Sequence, residues 1–185
     1  PLKHQDIVGF LLSLISPFNR LFDLGRVITA PFEMQLVPGR ISREPDLIFM
    51  TQAHMSRWTR ERITGPADLV IEIVSTNSVT RDRRDKFQDY QAGGVREYWI
   101  IDPRPGKQQA EFYQLDVTGR YQAIALDAQG RYHSAVLPGF WVQVDWLWQV
   151  PLPDPLITMT TIAPQALRAR LKPYLEEPED GNRNT

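Results

Sequence analysis

"GPADLVIEIVSTNSVTRDRRDK", residues 65–86, is the stretch on which the reading of this chain turns. Between Leu69 and Val74 five of six side chains are aliphatic, the composition of a buried strand. Polar residues follow, among them capping candidates such as Thr80, and a helix then runs to the stop signal Gly93-Gly94. "REYWIID", 96–102, is again a strand, broken by Pro103 and Pro105. Strand, helix and strand in this order predict a parallel pair joined by a right-handed crossover and buried on both faces. The sixth side chain of the aliphatic run is Glu72. An unpaired carboxylate taken out of water costs several kcal/mol, so Glu72 needs a cation or hydrogen-bond donors beside it. Lys86, fourteen residues on, could supply the charge, and so could a metal ion.

Outward from this unit, residues 4–22 carry Ile7, Leu11, Leu14, Ile15, Phe18, Leu21 and Phe22 at helical spacing, with Pro17 expected to kink or end the helix. "RVITAPFEMQLV" from Arg26 reads as a strand or bent strand pair, and "PDLIFMT" from Pro45 as another strand. Beyond Pro105, "AEFYQLD", "YQAIALD", "RYHSAVL" and "FWVQVDW" are short strands separated by turns at Gly119, Gly130 and Pro138-Gly139. The fold class is therefore α/β (α+β), a mixed sheet with a helical crossover. One domain over 1–150 is expected, followed by a Pro-rich extension over 151–185 with a short helix at 164–175 and a disordered acidic end.

Composition narrows the chemistry. With 185 residues and 42% hydrophobic content the chain can bury one good core. Its 21 basic and 22 acidic side chains leave a net charge of -1, so any contact with a polyanion has to be local. There is no cysteine and only three scattered histidines, which argues against thiolate or His-based metal sites and leaves oxygen ligands. The apolar run "IVGFLLSLISPF" is too short to span a bilayer and has no basic leader with a cleavage site, so a soluble, cytoplasmic protein without a membrane partner is expected.

Period-two alternation puts Asp68, Val70 and Glu72 on one strand face and Leu69, Ile71 and Ile73 on the other. If the strands at 45–51 and 68–75 are neighbours, Asp46 and Glu72 can converge at a sheet edge. Two carboxylates in one pocket stay ionised only beside a cation. A hard ion such as Mg²⁺, often held by one or two carboxylates, suits them, with Mn²⁺ as a substitute. Such an ion polarises a phosphate oxygen and activates water, and the Lys86 ammonium would stabilise the developing negative charge. Plainer readings exist for each residue: a strand-entry role for Asp46, a hydrogen-bonding role for Asp68, and a solvated helix face for Lys86. Asp82, Lys86 and Tyr90 share one helix face, and Asp82 can pair with Lys86. Arg81, Arg83 and Arg84 could meet a phosphate backbone.

"REPDLIFM", "GPADLVIEIVS", "RDRRDKFQDYQAGGVREYWIIDP" and "LPGFWVQV", taken in order from about His4 to Trp148, resemble the putative restriction endonuclease family of the Uma type, a branch of the PD-(D/E)XK nucleases. The resemblance implies a restriction-endonuclease-like core and Mg²⁺-dependent cleavage of DNA. It places the first motif aspartate on Asp46 and the second acidic residue on Glu72, as metal ligands. The motif lysine would stand at 74, where this chain has Val74. The family resembles one in which the lysine has moved to the following helix, at Lys86. A homodimer aligning two Arg81–Arg84 clusters is expected. The competing readings are a catalytically inactive nuclease-fold module that binds or regulates, and a hydrolase for another phosphorylated substrate.

Overall fold

The computed structural model describes residues 2–37, 39–75 and 84–175. Thr80, Arg81, Asp82, Arg83 and the acidic end from 176 lie outside these residues, so the expectations attached to them are not addressed. The expected strand–helix–strand unit is present: β6 (Leu69–Ile73), α2 (Lys86–Gly93) and β7 (Glu97–Asp102), with β6 and β7 parallel and Leu69 opposite Glu97. Around it runs a mixed six-stranded sheet in the order β1-β4-β6-β7-β8-β9, where β1 is Gly25–Thr29, β4 Leu47–Thr51, β8 Gln109–Leu115 and β9 Tyr121–Ala123. A second sheet pairs β2 (Glu33–Val37) with β3 (Ile41–Arg43) and β5 (Arg62–Thr64), and β10 (Arg131–His133) pairs with β11 (Trp141–Gln143). The run "RVITAPFEMQLV" is thus a bent pair whose halves serve different sheets.

Alternation along β4, β6 and β7 sorts the core into two layers. Leu47, Phe49, Leu69, Ile71, Trp99 and Ile101 pack with α1 (Leu2–Phe22) on one face of the sheet. Ile48, Met50, Val70, Val74, Tyr98 and Ile100 face the other way, toward Tyr90 of α2 and Met34 and Leu36 of β2. At full burial each of these side chains contributes roughly 1.5–3 kcal/mol from apolar area. Trp99 and Tyr98, adjacent in sequence, are both completely buried, one in each layer.

α1 does not end at Pro17 but continues to Phe22. The carbonyl that Pro17 leaves without its helical partner is that of Ser13, on the exposed side of the helix where water can satisfy it. Leu11, Leu14, Ile15 and Phe18 on the opposite side are fully buried and hold the helix to the sheet. Near the other end of the chain, α3 (Pro155–Ile162) precedes the expected helix α4 (Pro164–Leu175). Asp154 caps α3 by accepting from the Leu156 and Ile157 N–H groups, and Met159 and Ile162 join the α1 layer. The crossover helix ends where Gly94 takes a φ of 87°. Its neighbour Gly93 lies so close to Leu36 that a Cβ there would stand 2.7 Å from Leu36 Cδ2, so glycine lets α2 approach β2. Among the described residues, no helix is long and apolar enough to cross a membrane.

Candidate active site

β4 and β6 are antiparallel neighbours in the middle of the sheet, with Leu47 opposite Ile71 and Ile48 opposite Val70. One step beyond this register sets Asp46 across from Glu72. The Ile73 N–H donates to Asp46 Oδ2 at 2.7 Å, which fixes the carboxylate at the strand end. The two acidic groups meet at the end of two central strands and not at an outer edge strand of the sheet.

Glu72 is 1% exposed. Tyr90 donates its hydroxyl to Glu72 Oε1 at 2.6 Å, and the Lys86 Nζ lies 2.8 Å from Glu72 Oε2. Lys86 and Tyr90 stand four residues apart on α2, so one helical face delivers both. Burial first, and then the charge of Asp46, push the Glu72 carboxyl up to about 7 against the opposing pull of Lys86 and Tyr90. Burial likewise raises the Tyr90 phenol far above its ordinary range, with the Glu72 charge adding to it. Tyr90 is therefore a neutral donor. Val74, where the motif lysine would stand, is 1% exposed and fills the layer containing Val70 and Tyr98. The amine reaches Glu72 from the helix instead.

His4 completes the cluster. Its Nε2 lies 3.2 Å from Asp46 Oδ2, and this bond raises the imidazole above 6.5 against the effect of burial. The first turn of α1 thus reaches around the sheet end to the acidic pair. Sequence reasoning passes over His4 as one of three scattered histidines, since nothing local marks a residue whose partner lies forty-two positions away. It places Tyr90 on the Lys86 face without a role, although the i+4 spacing from Lys86 is the usable signal.

Two other buried aspartates have partners of their own. Asp68, on the Glu72 face but at the other end of β6, accepts from the Thr51 N–H and Oγ1 at 2.8 and 2.7 Å and lies 2.8 Å from His54 Nδ1. Burial alone would raise its carboxyl, but these partners outweigh it and hold it below the ordinary range. It has the hydrogen-bonding role the plainer reading gave it. Asp102 accepts from the Arg104 backbone N–H at 3.2 Å and from its guanidinium at 2.8 Å, closing the turn after β7.

Asp46 and Glu72 suit a hard divalent ion as a pair of oxygen donors whose charges oppose one another. Asp46 Oδ1 has no hydrogen-bond partner among the described residues, and the Asp46 side chain is 20% exposed, so it can take a ligand from solution. Among the described residues no three or more histidines or carboxylates form a preformed cage. The fit is thus the sparse one common for magnesium, with water and substrate completing the shell. A hollow of about 410 Å³ lined by Glu33, Ser42, Arg43, Glu44 and Lys86 opens on the lysine.

A search of curated proteins finds no match. A solved structure described as a putative nuclease belonging to DUF820, from Anabaena variabilis ATCC 29413, is similar with a TM-score of 0.63, covering 79% of this chain and 80% of that one at 17% identity. At that identity the likeness is one of fold. The model of the Uma2 family, described as "Putative restriction endonuclease", matches residues 1–145. That span carries the central sheet, the crossover helix and every residue of the site, and the chain belongs to the Uma2 putative restriction endonuclease family.

Proposed function

We propose that this protein is an endonuclease that hydrolyses DNA phosphodiester bonds with Mg²⁺, or Mn²⁺ in its place, held by Asp46 and Glu72. One observation carries the reading: a fully buried glutamate lies beside a second carboxylate and 2.8 Å from a lysine amine delivered by the crossover helix. A purely structural role would be better served by apolar residues, because a buried ion pair rarely repays its desolvation. When bound, the ion supplies Lewis-acid polarisation of a phosphate oxygen and lowers the pKa of bound water.

The chain's own residues do the rest. The Ile73 N–H and His4 hold Asp46 Oδ2, leaving Oδ1 for a ligand. Tyr90 and Lys86 fix the two oxygens of Glu72, so the carboxylate cannot rotate. Lys86 lines the hollow, and its ammonium carries several N–H donors. It donates to the attacking water and to the phosphate oxygens as negative charge gathers during in-line displacement of the leaving oxygen. The membership of a family described as restriction endonucleases supports DNA as the substrate. A homodimer would present two such sites to one duplex.

The test is nicking of supercoiled plasmid by purified protein. Cleavage with Mg²⁺, none with EDTA, and none by folded Asp46→Asn are expected. An unbroken plasmid with either Mg²⁺ or Mn²⁺ would favour the inactive binding module. Release of inorganic phosphate from a small ester without nicking would favour a different phosphohydrolase.

A further inference from the structure

On the same face of the sheet as Glu72, β1 carries Arg26 opposite Met50 and Ile28 opposite Ile48. Phe32 and Trp58 pack over this end, their rings stacked with centroids 5.4 Å apart. The Arg26 guanidinium lies 4.6 Å from the centre of the Trp58 ring. Ring and guanidinium attract, so the long side chain is held in one plane while remaining exposed. Arg26, Ile28, Phe32, Trp58, Thr59 and Arg60 line an open hollow of about 510 Å³.

Among the described residues no carboxylate lines that hollow. The acids Glu33 and Glu61 lie 3.3 and 3.9 Å from Arg62 and are paired with it, not with Arg26 or Arg60. Three other arginines are paired with a carboxylate: Arg43 with Asp89, Arg96 with Asp68, Arg104 with Asp102. Among the described residues the side chains of Arg26 and Arg60 make no ion pair or hydrogen bond. Two guanidiniums at the rim of an aromatic-floored hollow, without a counter-charge, are complementary to a polyanion. Met50, opposite Arg26, is four residues along β4 from Asp46, about 13 Å at strand rise and roughly the axial span of four nucleotides in a duplex strand.

We propose that Arg26, seated on Trp58, and Arg60 clamp the phosphate backbone of the DNA strand whose scissile bond lies at Asp46, Glu72 and Lys86. This rests on the nuclease reading for the identity of the strand. The planar forks donate to phosphate oxygens, while the aromatic pair keeps Arg26 from collapsing onto the surface. The clamp gives affinity and register without reading bases. It also explains how a chain of net charge -1 can hold DNA: through a local pair of unneutralised cations.

The experiment is fluorescence polarisation of a short fluorescein-labelled duplex in EDTA over a salt series. Arg26→Gln, which keeps a planar amide over Trp58, Arg60→Ala and their double variant are compared with wild type and with Arg168→Ala. Arg168 is exposed on α4, which packs in the α1 layer on the opposite face of the sheet. Each clamp substitution is expected to weaken binding on the order of fivefold. The double variant should lower the slope of log K against log salt by about 1.8, or about 0.9 for each phosphate left unneutralised, with Arg168→Ala unchanged. If Arg26→Gln melts early, Arg60→Ala carries the comparison alone, since Arg60 packs on no aromatic ring. Unchanged affinity and slope in the clamp variants, an equal loss in Arg168→Ala, or no duplex binding by wild type would each overturn the proposal. Because binding is read without metal, a wild type that binds through these arginines yet never nicks would sink the nuclease reading and leave the clamp standing. Nicking that survives with binding indifferent to Arg26 and Arg60 would do the reverse.

Discussion

Two glutamates sit completely buried on adjacent strands of one sheet, and they are solvated by the protein in opposite ways. Glu97 on β7 accepts from the Trp99 indole N–H at 2.7 Å, the Ser134 hydroxyl at 3.1 Å, and the Ala135 and Val136 N–H groups at 2.8 and 2.9 Å. Neutral donors surround it, with no cation and no second acid among them. Glu72 on β6 has one neutral donor, one ammonium and a neighbouring carboxylate. Burial raises both carboxyls, but only at Glu72 does a like charge add to the effect. The first arrangement ties a loop to a sheet. The second holds a charge imbalance in place, which is useful where a cation or a phosphate has to be received.

Substitutions should separate the two roles. The largest effect is expected from Lys86→Ala, which should lower Mg²⁺-dependent nicking on the order of a hundredfold or more while the far-UV circular dichroism stays that of wild type. Glu97→Ala should do the opposite. With four donors orphaned in the core, urea unfolding should show a loss of about 3 kcal/mol, and activity per folded molecule should be preserved. A Glu97 variant that folds normally would break the contrast.

How far this contrast could be read from the chain is instructive. Glu72 announces itself because aliphatic residues flank it on both sides, and the period-two rule then gives its face. Asp46 and Glu72 could be paired only on the condition that their strands are neighbours, which alternation cannot decide and the register of β4 and β6 does. Glu97 opens its strand next to Arg96 and Tyr98, so nothing in the sequence marks it as buried, and three of its four donors come from residues thirty-seven to thirty-nine positions later. The crossover and the strand order near it were legible from local pattern. The division of "RVITAPFEMQLV" between two sheets, the passage of α1 through Pro17 and the reach of His4 to Asp46 were not, since each is settled by packing against distant parts of the chain.

A smaller effect should come from Tyr90→Phe. Losing one donor to Glu72 should slow nicking about fivefold, the worth of one hydrogen bond, without the collapse expected for Lys86→Ala. The smallest effect is one of pH on stability. Glu72 keeps its proton up to about 7 in the folded protein against an ordinary value of 4.5. Folding therefore favours the protonated form: this contribution is complete below pH 4.5 and is lost as pH rises through about 7. Without metal, the melting temperature should fall across that window. Mg²⁺ at about ten times its dissociation constant should restore about 1.4 kcal/mol at about pH 8, a shift of about 3 to 5 °C, and little at about pH 5. Thermal melts of wild type and Glu72→Gln at both pH values check this, with the variant expected to show neither the fall nor the metal-dependent rise.

The central claim, that the acidic pair and the helix-borne amine are a site for hydrolysis, is tested most directly by plasmid nicking with Mg²⁺ at matched concentrations of folded wild type and Glu72→Gln. That substitution keeps the size of the side chain and removes its charge. The account predicts nicked circles from wild type and intact supercoils from the variant over the same interval. Equal cleavage by the two proteins would contradict it.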